Sequence, residues 1–109
     1  MRHKITNGIL TMEAESKGAE IQYLSGLGSG PNGWLWNAGD IWPRYAPLCF
    51  PWGGKLLDGW HEVNGKHYIA DQHGFARDLE HKLVEQQPDR LHFQLKDNEY
   101  TKARFPWSF

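Results

Sequence analysis

The densest run of chemistry-bearing side chains in this sequence is Asp71-Gln72-His73-Gly74-Phe75-Ala76-Arg77-Asp78. A neutral imidazole gives or takes a hydrogen bond at pH 7, and a nearby guanidinium offers a forked donor for hydroxyls or phosphate. Loops on a rigid sheet are where binding and catalytic groups are usually carried. The same residues also read as a plain β-corner, with Gly74 turning the chain, Phe75 filling the core and Arg77 pairing with Asp78. Spacing alone gives the corner the edge.

Other clusters are weaker. His61, His67 and His73 stand six residues apart, which suggests a metal site. A two-residue turn at Asn64-Gly65 pairs Val63 with Lys66, Glu62 with His67 and His61 with Tyr68. Successive strand residues point to opposite faces, so His61 and His67 cannot converge on one ion. Gly26-Leu27-Gly28-Ser29-Gly30 lacks the third glycine of a dinucleotide loop, because Pro31 falls there and no helix follows. Gly53-Gly54-Lys55 lacks a phosphate loop's Ser or Thr, with Leu56 in its place, and its first glycine, with Cys49 in its place. Cys49 is the single cysteine, so neither an intramolecular disulfide nor a multi-cysteine zinc site is available.

The elements that position these residues are strands. Lys4 to Thr6 and the alternating run Leu10, Met12, Ala14 flank the turn residues Asn7-Gly8. Ala19, Ile21 and Tyr23 alternate after a tight turn at Lys17-Gly18. A glycine loop over 26–33 leads to a short strand expected at Trp34-Leu35-Trp36. Trp60 to Val63 and Lys66 to Ile69 form the clearest hairpin. Leu79 to Glu85 and Leu91 to Lys96 flank the turn composition Gln87-Pro88-Asp89-Arg90. Phe105 to Phe109 is apolar and strand-like, and the chain stops inside it, so the chain reads as the front part of a larger sheet. No window of eleven residues sustains a helical period, so the fold class is all-β, an antiparallel β-sandwich.

Composition agrees. Length 109 bounds the chain to one domain or part of one. Twelve basic and thirteen acidic residues leave a net charge of -1, without the basic excess that a nucleic-acid binder shows. Six Trp, five Phe and four Tyr among twelve Gly and six Pro suit β-structure or a surface that stacks on flat apolar ligand faces. The longest apolar stretch, Tyr45 to Trp52, carries Pro47 and Pro51 and is too short to cross a bilayer. With no signal-peptide pattern at the start, a cytoplasmic protein without membrane partners is expected.

Gln72-His73-Gly74-Phe75-Ala76-Arg77-Asp78 resembles the QHGFARD signature of the galactose mutarotase-like superfamily, in its aldose 1-epimerase, LacX-like branch. Gly18-Ala19-Glu20-Ile21 resembles that family's GAEL, and Leu35-Trp36-Asn37-Ala38-Gly39-Asp40 its LWxGD. Arg44, Ala46-Pro47 and Phe50-Pro51 resemble RRAPVLFP, with Tyr45 in place of the second arginine. Gly54-Lys55-Leu56 and Asp58-Gly59 resemble GRLKDG, Asn64-Gly65-Lys66 matches the hairpin turn, and Phe105-Pro106 with Phe109 resembles PFxF. The matches run in order over nearly the whole chain. The family domain is a longer β-sandwich, so residues 1–109 resemble its N-terminal part, with no separate domains.

The resemblance implies an isomerase that interconverts α and β anomers of a hexose; that chemistry needs no metal, and no cofactor is expected. A base takes the proton from the C1 hydroxyl, an acid protonates the ring oxygen, and the ring opens and recloses. His73 matches the family's first active-site histidine. Lys55 stands where the family has a sugar-binding arginine; it keeps the charge and loses the planar fork. Arg77, Asp78 and Arg44 complete the implied substrate-binding set, and Trp52 and Trp42 can stack on a pyranose face or pack in the core. The family's second histidine and glutamate base have no counterpart in this sequence, which points to a chain inactive alone. Hexose-6-phosphate mutarotases share HGFAR and a stretch like Cys49-Phe50-Pro51-Trp52-Gly53; there Arg44 and Lys55 would face phosphate. The hairpin over 56–70 favours the first branch, and a non-catalytic sugar-binding fragment is the third reading. His73 is expected in concave, solvent-reachable ground near Lys55 or Arg77, and unpaired sheet edges are expected to favour self-association.

Overall fold

Three separate antiparallel units carry the chain in a computed structural model that describes all of residues 1–109. Strands β1 (Arg2–Thr6), β2 (Thr11–Glu15) and β3 (Glu20–Ser25) form a meander in chain order. The Asn7 side-chain oxygen accepts from the amides of Ile9 and Leu10 at 2.9 and 2.8 Å, and Gly8 takes φ 86°, so the first turn closes where its sequence indicates. Strands β4 (Trp60–Val63) and β5 (Lys66–Ile69) form the second unit, β6 (Lys82–Gln87) and β7 (Arg90–Gln94) the third.

The β4–β5 hairpin has the expected register. Asn64 and Gly65 take φ 50° and 79°, and Glu62 lies opposite His67. On that face Trp60 stacks on His67 with ring centroids 3.8 Å apart, and Glu62 approaches His67 to 3.6 Å. His61 turns to the other face, against Tyr68 and Trp52.

Elsewhere the structure departs from the sequence pattern. Trp34 to Trp36 is not a strand: Gly33 bonds back to Gly30, Trp34 donates to the Leu24 carbonyl, and the Trp36 indole donates to the Trp42 carbonyl. A strand needs a continued ladder, and the single bond from Trp34 to Leu24 at the end of β3 does not extend into one. Leu79 does not open β6, because Ala76–Asp78 forms a 3-10 turn and the ladder starts at Lys82. The Phe105 to Phe109 stretch is also not a strand. Before it lies a short helix, α1 (Glu99–Lys102), that no periodicity announces. It forms because Asn98 and Thr101 make a capping box, each side chain bonding the other's backbone N–H.

The core is aromatic. Phe75 is 2% exposed and Thr101 fully buried. Phe50 meets Phe75, Phe105 and Phe109 edge-on at centroid distances of 6.0, 6.0 and 5.2 Å. The tail is drawn into this cluster rather than into a sheet. Asp97 holds it there: its amide donates to the Phe109 carbonyl, its carboxylate accepts from the Phe109 amide at 3.2 Å, and Lys102 pairs with it at 2.8 Å.

Those contacts, Lys102 first and the Phe109 amide second, hold the Asp97 carboxyl below its ordinary 3.8. A depressed carboxyl favours the folded tail above about pH 4 and loses that effect as pH falls through the folded value. In a carbon-detected NMR titration, Asp97 should protonate below 3.8, and Phe109 ring shifts should move with it. Asp97→Asn should reduce the Phe109 response in that window to the part its own α-carboxyl contributes. A Phe109 response unchanged in the variant would show that another group governs the tail.

Candidate functional site

The loop carrying His73 is fixed by one backbone crossing. The Phe50 carbonyl accepts from the Phe75 amide at 2.9 Å and the Ala76 amide at 3.2 Å. Gly74 lies so close that a Cβ built on it would stand 2.0 Å from the Phe50 oxygen, and its φ is +73°. Only glycine meets both conditions. The crossing sends Phe75 into the core and turns its neighbour His73 the other way.

His73 itself has φ +64°. Histidine tolerates that region better than most residues, yet the conformation still costs about 1–3 kcal/mol and survives only where surroundings enforce it. Three consecutive residues are tied down. The Asp71 carbonyl accepts from the Trp52 indole at 2.6 Å, the Gln72 carbonyl from the Arg77 guanidinium at 2.9 Å, and the His73 amide donates to the Gly54 carbonyl at 2.8 Å. The held imidazole is half-buried. Its Nδ1 is shielded from solvent and has no hydrogen-bond partner, while Nε2 has only the Gln72 amide nitrogen at 3.4 Å. An unpaired shielded ring nitrogen is uncommon in a folded chain.

Behind the loop runs a chain of polar contacts. Asp78 accepts from Arg44 at 2.8 Å and lies 3.7 Å from the Arg77 Nε, too far for a hydrogen bond. Arg44 is placed in turn by Glu20, whose carboxylate accepts the amides of Tyr45 and Ala46 at 3.0 and 3.1 Å. The β2–β3 turn braces the same region: Gly18 has φ +76°, and a Cβ there would meet the Arg77 carbonyl at 2.5 Å. Arg44, Asp78 and Arg77 are therefore engaged with one another or with backbone and hold the loop's shape. Lys55 follows Gly54, is exposed, and makes no ion pair. The structure thus brings His73, Arg77, Asp78 and Arg44 together, while Lys55 is linked to them only through its neighbour Gly54, whose carbonyl accepts from the His73 amide.

Two features lay outside the sequence pattern. Glu20 gave no chemical signal of its own, being one alternating polar residue in a strand. Arg104 lies 33 positions from Asp71, yet its Nε meets the Asp71 carboxylate at 3.2 Å, its guanidinium covers the Tyr100 ring at 3.8 Å, and its carbonyl contacts the His61 ring nitrogen at 2.6 Å. The concave ground expected around His73 is not formed. The surface hollows lie at Ile5–Leu10, at Glu80–Lys96, at Thr6–Gln86 and in a groove by Leu48 and Phe93, and His73 lines none of them. The loop stands on open surface.

No protein-family model and no curated protein matches the chain. Solved structures do. A galactose mutarotase-related enzyme from Lactobacillus acidophilus superposes on 99% of the chain with a TM-score of 0.92 at 32% identity. A galactose mutarotase-like protein from Lactobacillus casei gives 0.90 at 28%, and a protein from Synechocystis 0.85 at 25%. The chain carries the N-terminal part of the galactose mutarotase-like fold. It spans 36%, 37% and 41% of those three chains. Within this mutarotase-like frame, three of the stretches whose sequences resemble the family meet around the 71–78 loop. Gly18 and Glu20, Arg44, Phe50 and Gly54 all touch the loop of residues 71–78 or the residues that hold it.

Gly74→Ala should cost at least about 2 kcal/mol, combining a strained φ with a backbone overlap that no side-chain rotation relieves. Urea denaturation of the two proteins measures it. A loss within about 0.5 kcal/mol, the range of an ordinary surface change, would show that the crossing does not fix the loop.

Proposed function

We propose that the chain is the carbohydrate-binding portion of an aldose 1-epimerase-like isomerase, with His73 as the group that meets the sugar. One observation carries the reading. In a mutarotase-like frame, a half-buried histidine at positive φ, on a loop tied at three consecutive residues, keeps an Nε2 whose one polar neighbour is the Gln72 amide nitrogen at 3.4 Å, and its own amide bonds the carbonyl of Gly54, the residue before Lys55.

An imidazole held this way donates to or accepts from a hydroxyl or ring oxygen of a hexose, and Lys55 supplies a charged donor to a neighbouring oxygen. Arg77, Asp78 and Arg44 act as positioning residues, keeping the loop in the shape that exposes His73. Ring opening also needs a partner of opposite role, because acid and base each contribute about 10²–10⁴-fold. Glu62 faces His67 on the hairpin, and Asp71 is paired with Arg104, so neither carboxylate is placed against His73. The chain by itself is accordingly a binder rather than a catalyst. The free Lys55 ammonium keeps the hexose-6-phosphate reading open as a second ligand class.

Titration with glucose, galactose and their 6-phosphates, followed by amide NMR, should perturb residues 71–78 and 53–55. His73→Ala should abolish the response while the β-sheet signals stay in place. Polarimetry should find anomer equilibration no faster than buffer alone. Unchanged spectra with every sugar would refute binding, and His73-dependent acceleration by the chain would refute its inactivity.

A further inference from the structure

His73 is the third residue of a β-turn. The Asp71 carbonyl accepts from the Gly74 amide at 3.0 Å, which makes Asp71 the first residue of that turn and Gly74 the last. A turn with φ above zero at its third residue ordinarily places glycine or asparagine there, and here a histidine at +64° takes the position. The conformation persists because both ends of the turn are held. Gly74 is held by the Phe50 crossing. Asp71 is held twice, at its carbonyl by the Trp52 indole at 2.6 Å and at its carboxylate by the Arg104 Nε at 3.2 Å.

An exposed ion pair contributes little when two flexible side chains must be ordered to make it. Arg104 is ordered beforehand. Its amide donates to the carbonyl of the fully buried Thr101 at 3.0 Å, and its carbonyl accepts from the His61 ring nitrogen at 2.6 Å. Its guanidinium lies over the Tyr100 ring at 3.8 Å, with Nη1 3.4 Å from the Tyr100 carbonyl. Tyr100 and Thr101 belong to α1, which the Asn98 capping box sets in place. The Arg104 side chain is only 22% exposed, so Asp71 meets a donor already in position and little rotamer freedom is lost in pairing. His61 also lies edge-on to Trp52 at 5.4 Å, so both holds on Asp71 belong to one connected group.

We propose that Arg104 is a positioning residue for His73: by holding Asp71, it holds the turn whose third residue presents the imidazole. The inference rests on the reading of His73 as the group that meets the sugar. Arg104 touches no part of the imidazole and acts through Asp71 alone. The rival is a role confined to α1, in which Arg104 packs on the Tyr100 ring and caps its own helix. On that rival, removing the guanidinium disturbs α1 and leaves the turn as it was, and Asp71 has no part in the effect.

Amide hydrogen exchange on the full chain separates the two, with Arg104→Met, Asp71→Ala and the double variant. The His73 amide, bonded to the Gly54 carbonyl at 2.8 Å, reports the turn, and amides of β1, β2 and β3 report the rest of the fold. Each single change should speed His73 exchange at least about fivefold with the three strands unchanged. The double variant should exchange no faster than either single one, because both changes remove the same contact. In galactose titrations followed by NMR, each change should weaken binding at least about threefold. His73 exchange unaltered in either single variant, or effects that multiply in the double, would overturn the proposal. Should Arg104→Met unfold the chain, Asp71→Ala, which leaves the Tyr100 stacking in place, decides alone. The exchange arm contains no sugar. Coupled exchange effects without galactose binding by the unaltered chain would sink the hexose reading and uphold Arg104 as the holder of the turn. Galactose binding that ignores both changes would overturn the positioning role.

Discussion

The close approach of Gly74 to the Phe50 carbonyl is the contact on which the arrangement depends. With no room for a Cβ at 2.0 Å, two distant segments cross backbone to backbone, and one oxygen accepts two successive amides. Everything near the loop follows from that crossing. Phe75 enters an aromatic cluster with Phe50 and Phe109, while His73 is left outside in a positive-φ conformation that it would not choose alone. The strain is held by neighbours that are themselves well fixed: Trp52, Gly54 and Arg77 each tie one residue of the loop.

A β-corner and a binding loop are usually alternative explanations for one stretch of sequence. On the reading proposed above, they are one object here. Gly74 turns the chain and Phe75 fills the core, as a corner requires, and Arg77 lies near Asp78. Those structural contacts are also what present the imidazole. Core packing and site geometry are therefore coupled, and a change at Phe50 or Gly74 acts on His73 without touching it. The engaged arginines follow the same logic, since Arg44 and Arg77 hold the loop through Asp78 and Gln72.

Local signals were legible in the sequence where the physics is local. Asn7-Gly8 and Asn64-Gly65 name their turns, and alternation names the strands beside them, because hairpin register depends on a few neighbouring residues. The strands expected at Trp34 to Trp36 and Phe105 to Phe109 fail for a non-local reason: a strand exists only beside a partner. Helix α1 has the opposite explanation, a capping box in four residues, too short for any periodic pattern to register. At the site, His73 and Gly74 stand out by residue type. Glu20 and Arg104 do not, because their contacts with Ala46 and Asp71 span 26 and 33 positions.

The groove by Leu48 and Phe93 and the exposed loop lie on two sides of the same segment, residues 74–81. Ala76 and His81 floor the groove, while His73 lies in the turn that leads to them. The His73 imidazole is the most direct reporter of that segment. A long-range proton–nitrogen correlation spectrum of the six histidines, recorded with and without galactose, tests the assignment of the sugar to His73. Both His73 ring nitrogens should shift on addition of sugar, with His3, His67 and His92 unmoved. A spectrum in which His73 stays still, or in which all six rings shift alike, would contradict it.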